Sequence, residues 1–324
     1  MICEQDFWKR QPAGFRRVID DIWCSIQPST TEKYCYALRN FCQFSLLNDS
    51  NVMLPVNAIE TSKFLVFLRE RGYSKFSIKL GLVSLKWLNS FFPGAPRLND
   101  PFLGRIISSA NRNCISMKNQ KDPLSTEMIR KILSQNPNPT LMQLRNAVIP
   151  AISFSLLLRN DELRHLCCSH IEKKPEGFVF NIVSSKTDVF RKGKCLYLAH
   201  QDADLSVSKL FEKYLSAAKL ELGSNNFLFG AVMEGPDSSY IDGKTQISYQ
   251  ECLSIFRMYI HQQNLDPLVF GTHSARSGGA TLLATKVTPF ELMLLGRWRD
   301  ARSLRNYVEV PESRRFDISR NLFL

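Results

Sequence analysis

The stretch Gly271–Tyr307, GTHSARSGGATLLATKVTPFELMLLGRWRDARSLRNY, is the most informative part of this 324-residue chain. It contains His273 and Arg276 three residues apart, the triplet Gly296-Arg297-Trp298, and a tyrosine nine residues after the tryptophan. A histidine at a helix start is most often a cap or core residue, and a tryptophan most often packs in a core. The order and spacing of the pieces together predict an active site.

An abrupt change of character occurs upstream of that stretch. Residues 141–158 are nearly all apolar, which predicts a helix buried on most sides. Arg159 interrupts the run, and Asn160-Asp161-Glu162 then reads as a helix start. A helix-cap ion pair with one of these acids is the structural alternative to a functional role for Arg159.

Two strand patterns lie between these regions. Residues 177–184 and 194–200 predict a hairpin in a small sheet, joined by a turn that contains Lys186. The Gly/Ser/Asp-rich stretch that follows Phe229 predicts a loop through Lys244.

Composition limits the class of protein. The length predicts two domains, and apolar residues form 44% of the chain. No run of 18 apolar residues and no secretory pattern at the start are found, so we expect an intracellular protein, in the cytoplasm (nucleoid) or the nucleus depending on the host. The nine scattered cysteines predict reduced thiols that are mostly buried.

Positive charge is concentrated in one region. Residues 63–121 hold eleven Lys or Arg against two acids, a net +9 of the +12 carried by the whole chain. Such an uneven field suits a partner that is a polyanion, whereas a merely soluble basic surface is the alternative.

The first part of the chain predicts a helical bundle. Ser29 with Glu32 fits a capping box for a helix to about Leu47. Residues 58–71 predict a helix that ends at Gly72 and buries Ile59, Phe64, Phe67 and Leu68. A further helix begins at Ser74 or Ser77, and residues 101–113 form the last.

These residues resemble the tyrosine recombinase family, the phage-integrase and Cre-like enzymes that break and rejoin DNA. Residues 159–163 match its Arg-x-x-Glu-Leu motif after a buried helix, and residues 273–276 match its His-x-x-Arg box. Residues 296–298 match the next box, Lys186 a lysine on a hairpin turn, and Tyr307 the nucleophile. The resemblance extends over nearly the whole chain.

The resemblance implies a mainly α fold with a small antiparallel β-sheet, in two domains that form a C-shaped clamp on DNA. Residues 1–115 would be an all-helical, SAM-like core-binding domain that binds DNA, followed by a linker at 116–123. Residues 124–310 would be a mixed α+β catalytic domain of the family's type. Residues 311–324 would be an apolar tail, packed on its own domain or exchanged between protomers.

The resemblance also implies a chemistry that suits these residue types. Tyr307 attacks a phosphodiester and forms a 3′-phosphotyrosine with a free 5′-hydroxyl, so rejoining needs no metal or nucleotide cofactor. Arg159 and Arg276 are permanently charged and bind phosphate oxygens bidentately. His273 donates to a phosphate oxygen or takes the tyrosine proton.

Three further site residues are implied. Lys186 protonates the leaving 5′ oxygen, with Lys192 and Lys194 of the same hairpin as alternatives. Trp298 hydrogen-bonds the phosphate through its indole N–H and packs against the tyrosine. Glu162 orients Arg159 or supports the site from behind.

The expected partner is double-stranded DNA that contains a specific recombination site, with a tetramer on two such sites and no membrane. The residues expected to contact DNA phosphates are Lys75, Lys79, Lys86, Arg105, Arg112, Lys118 and Lys121. Two alternatives share the resemblance: a type IB topoisomerase or telomere resolvase, and an inactive DNA-binding derivative.

Overall fold

The computed structural model describes residues 21–47, 54–113, 121–134, 138–183, 193–203, 206–236, 238–304, 316 and 319–320. The chain divides into two compact units, Met1–Lys118 and Asn119–Leu324. Helices dominate, with small antiparallel sheets, which confirms the predicted fold class. In the described part of the chain, no helix is long and apolar enough to cross a membrane.

The first unit is a bundle in which the third helix packs against the other three. Its helices are α1 (Pro28–Leu47), α2 (Ala58–Glu70), α3 (Lys75–Asn89) and α4 (Pro101–Asn113), preceded by a helical turn at 21–24. The centre of its core is aromatic: the rings of Phe41 and Phe44 lie 5.1 and 5.7 Å from the ring of Phe64. The apolar spacing of residues 58–71 therefore placed Phe64 and Leu68 in the core correctly.

Local details of the bundle differ from the sequence prediction at two places. Helix α1 begins at Pro28 and not after a Ser29 cap, because the first helical position is where the missing proline N–H costs nothing. Ile59 is 64% exposed and not buried. At 3.6 residues per turn it lies about 160° around α2 from the buried Thr61. Gly72 adopts the predicted left-handed conformation with φ 74°.

The second unit is built around one buried helix. Its helices are α5 (Thr126–Leu133), α6 (Leu141–Ser155), α7 (Asn160–Arg164), α8 (Val207–Ala217), α9 (Tyr249–His261), α10 (Ser274–Leu283), α11 (Pro289–Gly296) and α12 (Ala301–Leu304). Helix α6 contacts α5, α7, α8, α9 and α10, and most of its residues are buried. The apolar run therefore predicted a central helix, although the helix ends at Ser155 and not at Leu158.

The main sheet has the order β1 (Ile171–Lys174), β2 (Gly177–Ile182), β3 (Lys194–Ala199), all antiparallel. The predicted hairpin is present, with Phe180 opposite Leu196. The sequence missed β1, because only its first residue is buried and the other three are charged. It also missed the second sheet, β4 (Val232–Glu234) with β5 (Ser239–Ile241), whose strands are too short for an alternating pattern.

The prediction that the cysteines are mostly buried was wrong for the described cysteines. Cys168 and Cys252 are buried, whereas Cys24, Cys42 and Cys195 are exposed. The described cysteines are free thiols, as expected. Burial of a thiol depends on which helix face packs inward, which cysteine content alone does not indicate.

Candidate active site

The site begins where helix α6 ends. Leu157 adopts a left-handed conformation with φ 50°, which ends the apolar helix just before Arg159. Arg159 then caps α7, and the carboxylate of Glu162 accepts its backbone N–H at 2.8 Å. The side chain of Arg159 is 16% exposed, so it lies at the edge of the buried core and partly reaches solvent.

Glu162 lies between two arginines. Its Oε1 atom accepts from Nη1 of Arg159 at 2.6 Å, and its Oε2 atom accepts from Nη2 of Arg297 at 2.6 Å. Burial by itself raises the pKa of Glu162. The charge of Arg297, the hydrogen bond from the Arg159 N–H and the charge of Arg159 outweigh burial and hold the pKa below its ordinary value. The carboxylate is therefore ionised at neutral pH.

Helix α10 carries the His-x-x-Arg pair. His273 is exposed at the N-terminus of the helix, whereas Arg276 is fully buried. The Nη atoms of Arg276 donate to the backbone carbonyls of Leu157 and Gly296. Arg276 is therefore anchored to two helix ends through one N–H of each Nη group.

Trp298 forms the floor beneath Arg276. The guanidinium of Arg276 lies 4.5 Å from the centre of the indole ring, a cation–π contact, and Trp298 packs with Leu157 and Leu292. Gly296 is required here, since a Cβ atom would lie only 1.7 Å from the indole ring. Trp298 is 7% exposed, so its ring contacts Arg276 and the neighbouring core and has little contact with solvent.

Arg297 is a buried charged residue to which the sequence analysis gave no role of its own. Its Nη2 donates to the Leu157 carbonyl at 2.8 Å, and its Nη1 donates to the Leu295 carbonyl at 3.0 Å. Its own backbone carbonyl lies 3.4 Å from Nη2 of Arg159. The sequence signal for Arg297 is a charged residue directly after an apolar helix, and the same signal marks Arg159.

Two helix ends are joined by a group of four charged residues. We call this group the arginine cluster: Arg159, Glu162, Arg276 and Arg297. Carbonyls at the carboxyl ends of α6 and α11 have no partner within their helices and carry partial negative charge. Arg276 and Arg297 donate to those carbonyls. Three guanidiniums against one carboxylate leave a formal charge of +2, which is suited to an anionic group bound near Arg159.

Of the remaining predicted site residues, Lys118, Lys186 and Tyr307 lie outside the described residues, as does Lys192. Most of the tail at 311–324 lies outside them too, and Phe316 within it is 56% exposed. The groups predicted to contact DNA that are exposed are Lys75, Lys79, Arg105 and Arg112. Two others have local partners: Lys86 donates to Asn99 at 2.7 Å, and Lys121 donates to the Leu268 carbonyl.

Comparison with known proteins gives relatives by sequence and by structure, although no protein-family model matches the chain. Cre recombinase of Escherichia phage P1 is 24% identical over 291 residues, 85% of this chain and 82% of the relative. An integrase/recombinase XerD homolog of Selenomonas ruminantium is 21% identical over 212 residues, 65% of this chain and 60% of the relative.

Solved structures of site-specific recombinases share the fold. XerH site-specific recombinase, in a post-cleavage complex with its palindromic difH substrate, superposes with a TM-score of 0.65 at 14% identity. The match covers 89% of this chain and 78% of that structure. In sequence and in fold the chain is therefore similar to site-specific recombinases, which agrees with the resemblance of its motifs to the tyrosine recombinase family.

Proposed function

We propose that the protein is a site-specific DNA recombinase or integrase of a mobile element, which cuts and rejoins DNA through Tyr307. The observation that carries the proposal is the arginine cluster, which gathers positive charge and includes Arg276, on the helix whose N-terminus carries the exposed His273. The named relatives are recombinases, and XerH was solved with its DNA substrate. Both support this function for a chain with a similar sequence and fold.

The proposed reaction is a phosphoryl transfer to tyrosine. The Tyr307 oxygen forms a bond to phosphorus while the bond from phosphorus to the 5′ oxygen breaks. His273 accepts the tyrosine proton or donates to a phosphate oxygen, and Lys186 gives a proton to the leaving oxygen. The covalent intermediate retains the bond energy, so attack by a 5′-hydroxyl restores the strand without an added cofactor.

The arginines serve the charge that develops on phosphate. Arg159 is the described arginine of the cluster whose side chain reaches solvent, and its planar fork suits two phosphate oxygens. Arg276 adds a second positive charge from the protein interior, where a fixed charge acts more strongly than it does in water. Trp298 holds that guanidinium in place.

The two units then have different tasks. We assign DNA binding to residues 1–115, through phosphate contacts that follow α3 and α4, and catalysis to residues 124–310. Residues 116–123 link them. Four protomers would assemble on two DNA sites, with the apolar tail at 311–324 docked on a neighbour in a head-to-tail ring.

Covalent capture tests the proposed activity. The wild-type protein is incubated with a labelled pool of nicked duplexes of randomised sequence. The nick lets the short fragment that bears the new 5′-hydroxyl dissociate, so the strand cannot be rejoined and the covalent intermediate accumulates. Denaturing gels should show a protein–DNA complex that is absent in Tyr307→Phe and whose recovered DNA converges on one sequence. A wild-type protein that captures no duplex, even from a pool made of its native flanking DNA, is not an enzyme of this kind.

The same assay separates the alternatives. A type IB topoisomerase would form the complex without sequence convergence and would relax supercoiled plasmid. A recombinase exchanges strands between two differently labelled duplexes that carry the recovered sequence. An inactive DNA-binding derivative would retain duplex without forming a covalent bond.

A second expectation concerns the exposed lysines of α3. Lys75→Ala with Lys79→Ala should weaken binding to the recovered duplex and to a scrambled duplex by similar factors, because phosphate contacts carry no sequence information. The slope of log affinity against log salt should fall by roughly 1.8, about 0.9 for each lost phosphate contact. Fluorescence anisotropy between 50 and 300 mM salt measures both quantities.

A matched control removes the same charge elsewhere. Lys173 and Lys174 are on β1, where they pair with Glu212 and Glu172 at 2.8 and 3.4 Å. Replacing both by alanine should leave the salt slope nearly unchanged. A loss from the α3 variant that is confined to the recovered sequence would contradict the assignment to phosphate contacts.

A further inference from the structure

Arg297 occupies a place where the backbone suits glycine better than arginine. Its φ and ψ angles are 56° and 41°, the left-handed region that side chains with a Cβ atom rarely adopt. The residue is also 7% exposed, although it carries a charge. A strained backbone and a buried charge at one position indicate that the side chain has a specific task.

The contacts of Arg297 converge on Arg159. The carboxylate oxygen that Arg297 binds, Oε2 of Glu162, also accepts the backbone N–H of Arg159. The other oxygen of the same carboxylate binds the Arg159 guanidinium. Arg297 further bonds the Leu157 carbonyl, which Arg276 shares. One side chain thus fixes the carboxylate that orients Arg159 and the carbonyl that anchors Arg276.

Charge is the second consequence of this arrangement. A carboxylate paired with Arg159 alone would neutralise the guanidinium that is meant for phosphate. Because Glu162 also faces Arg297, with both of these side chains no more than 3% exposed, its negative charge is shared between two cations. Arg159 is therefore held by the carboxylate and keeps a net attraction for an anion.

We propose that Arg297 is a positioning residue, which holds Glu162 so that Arg159 is both oriented for the phosphate and not neutralised by its own partner. The proposal rests on the proposed function for the role of Arg159 in phosphate binding. The contacts between Arg297, Glu162 and Arg159 exist in the protein without DNA.

Three substitutions separate the parts of this role. Arg297→Gly removes the guanidinium and relieves the left-handed backbone, so its effect cannot come from backbone strain. Arg297→Lys keeps the charge but cannot make the fork of bonds to Glu162 and the carbonyls. Arg145→Met is the matched control, since Arg145 is 4% exposed and bonds the Gly230 carbonyl and Glu251 in the same unit.

The first measurement needs no DNA. In protein labelled with ¹⁵N-arginine, the order parameter of the Arg159 Nε–H group, assigned by its loss in Arg159→Lys, reports how firmly that side chain is held. It should fall clearly in Arg297→Gly, fall less in Arg297→Lys and stay unchanged in Arg145→Met. An Arg159 side chain that is as ordered in Arg297→Gly as in the wild type overturns the proposal.

The second measurement uses the duplex recovered by covalent capture. Single-turnover cleavage by Arg297→Gly should be about 100-fold slower, because a misplacement of about 1 Å costs that much, while the Kd for the duplex changes less than about threefold. Arg297→Lys should recover part of the rate, and Arg145→Met should cleave normally. Cleavage at the wild-type rate by Arg297→Gly would also overturn the proposal. A wild-type protein that captures no DNA refutes the proposed function instead, and the order parameter still decides the role of Arg297.

Discussion

Arg276→Met is expected to slow single-turnover cleavage of the recovered duplex by about 10³-fold, because it removes a guanidinium charge beneath the proposed phosphate site. The buried position makes this charge effective, since little water screens it. Quenched-flow formation of the covalent complex measures the rate. Arg276→Lys keeps a point charge without the planar fork and should cleave at an intermediate rate.

The same substitution is expected to lower stability. The Gly296 carbonyl loses the donor that Arg276 provides, whereas the Leu157 carbonyl keeps the one from Arg297, and a buried acceptor left unsatisfied costs about 1–3 kcal/mol. Urea unfolding gives the free energy. Arg145→Met, which loses a comparable buried arginine remote from the arginine cluster, should be destabilised but should still cleave. A wild-type cleavage rate in folded Arg276→Met would contradict the proposed part of Arg276 in the reaction.

Glu162→Gln is expected to be the most destabilising single change in the arginine cluster. It leaves the guanidiniums of Arg159 and Arg297 without the anion they share, and removal of one partner from a buried ion pair costs about 3–5 kcal/mol. Cleavage should also slow, because Arg159 loses the carboxylate that orients it. Urea unfolding at pH 7 measures the first effect, and covalent capture measures the second.

The pH dependence of that loss has a definite sign. The pKa of Glu162 is lower in the folded protein than its ordinary value of about 4.3, so its contribution is complete above that value and is lost as pH falls through the folded pKa. The stability difference between wild type and Glu162→Gln should therefore be constant from pH 7 to about 5 and shrink below pH 4. Glu251→Gln is the control: Glu251 pairs with the buried Arg145 but is 37% exposed, so its loss should cost less. A difference that grows toward acid pH would contradict the role given to the Glu162 charge.

Sequence reasoning was strongest where structure follows local pattern. The run at 141–158 predicted a buried helix and α6 is one, although a left-handed Leu157 ends it early. Alternating residues predicted the β2–β3 hairpin. It was weakest for β1, β4 and β5, because strands of three or four residues, charged or half-exposed, are held by pairing and not by pattern.

The sequence also did not predict whether several individual residues are buried or exposed. Ile59 is apolar but lies on the outer side of α2, and Cys195 lies on the outward side of β3. Arg276 shows the opposite case, a charged residue that is fully buried because two helix ends supply carbonyls for it. Which side of an element faces the core depends on its neighbours in space.

The sequence by itself determined the kinds of residue, their order and their spacing, because His-x-x-Arg and Arg-x-x-Glu are local patterns that one helix start can display. Only the tertiary structure decided how the charges pair. Glu162 and Arg297 are 135 residues apart in the chain, yet their atoms lie 2.6 Å apart. The reason is that the ends of α6 and α11 meet, and their unpaired carbonyls need the donors that Arg276 and Arg297 provide.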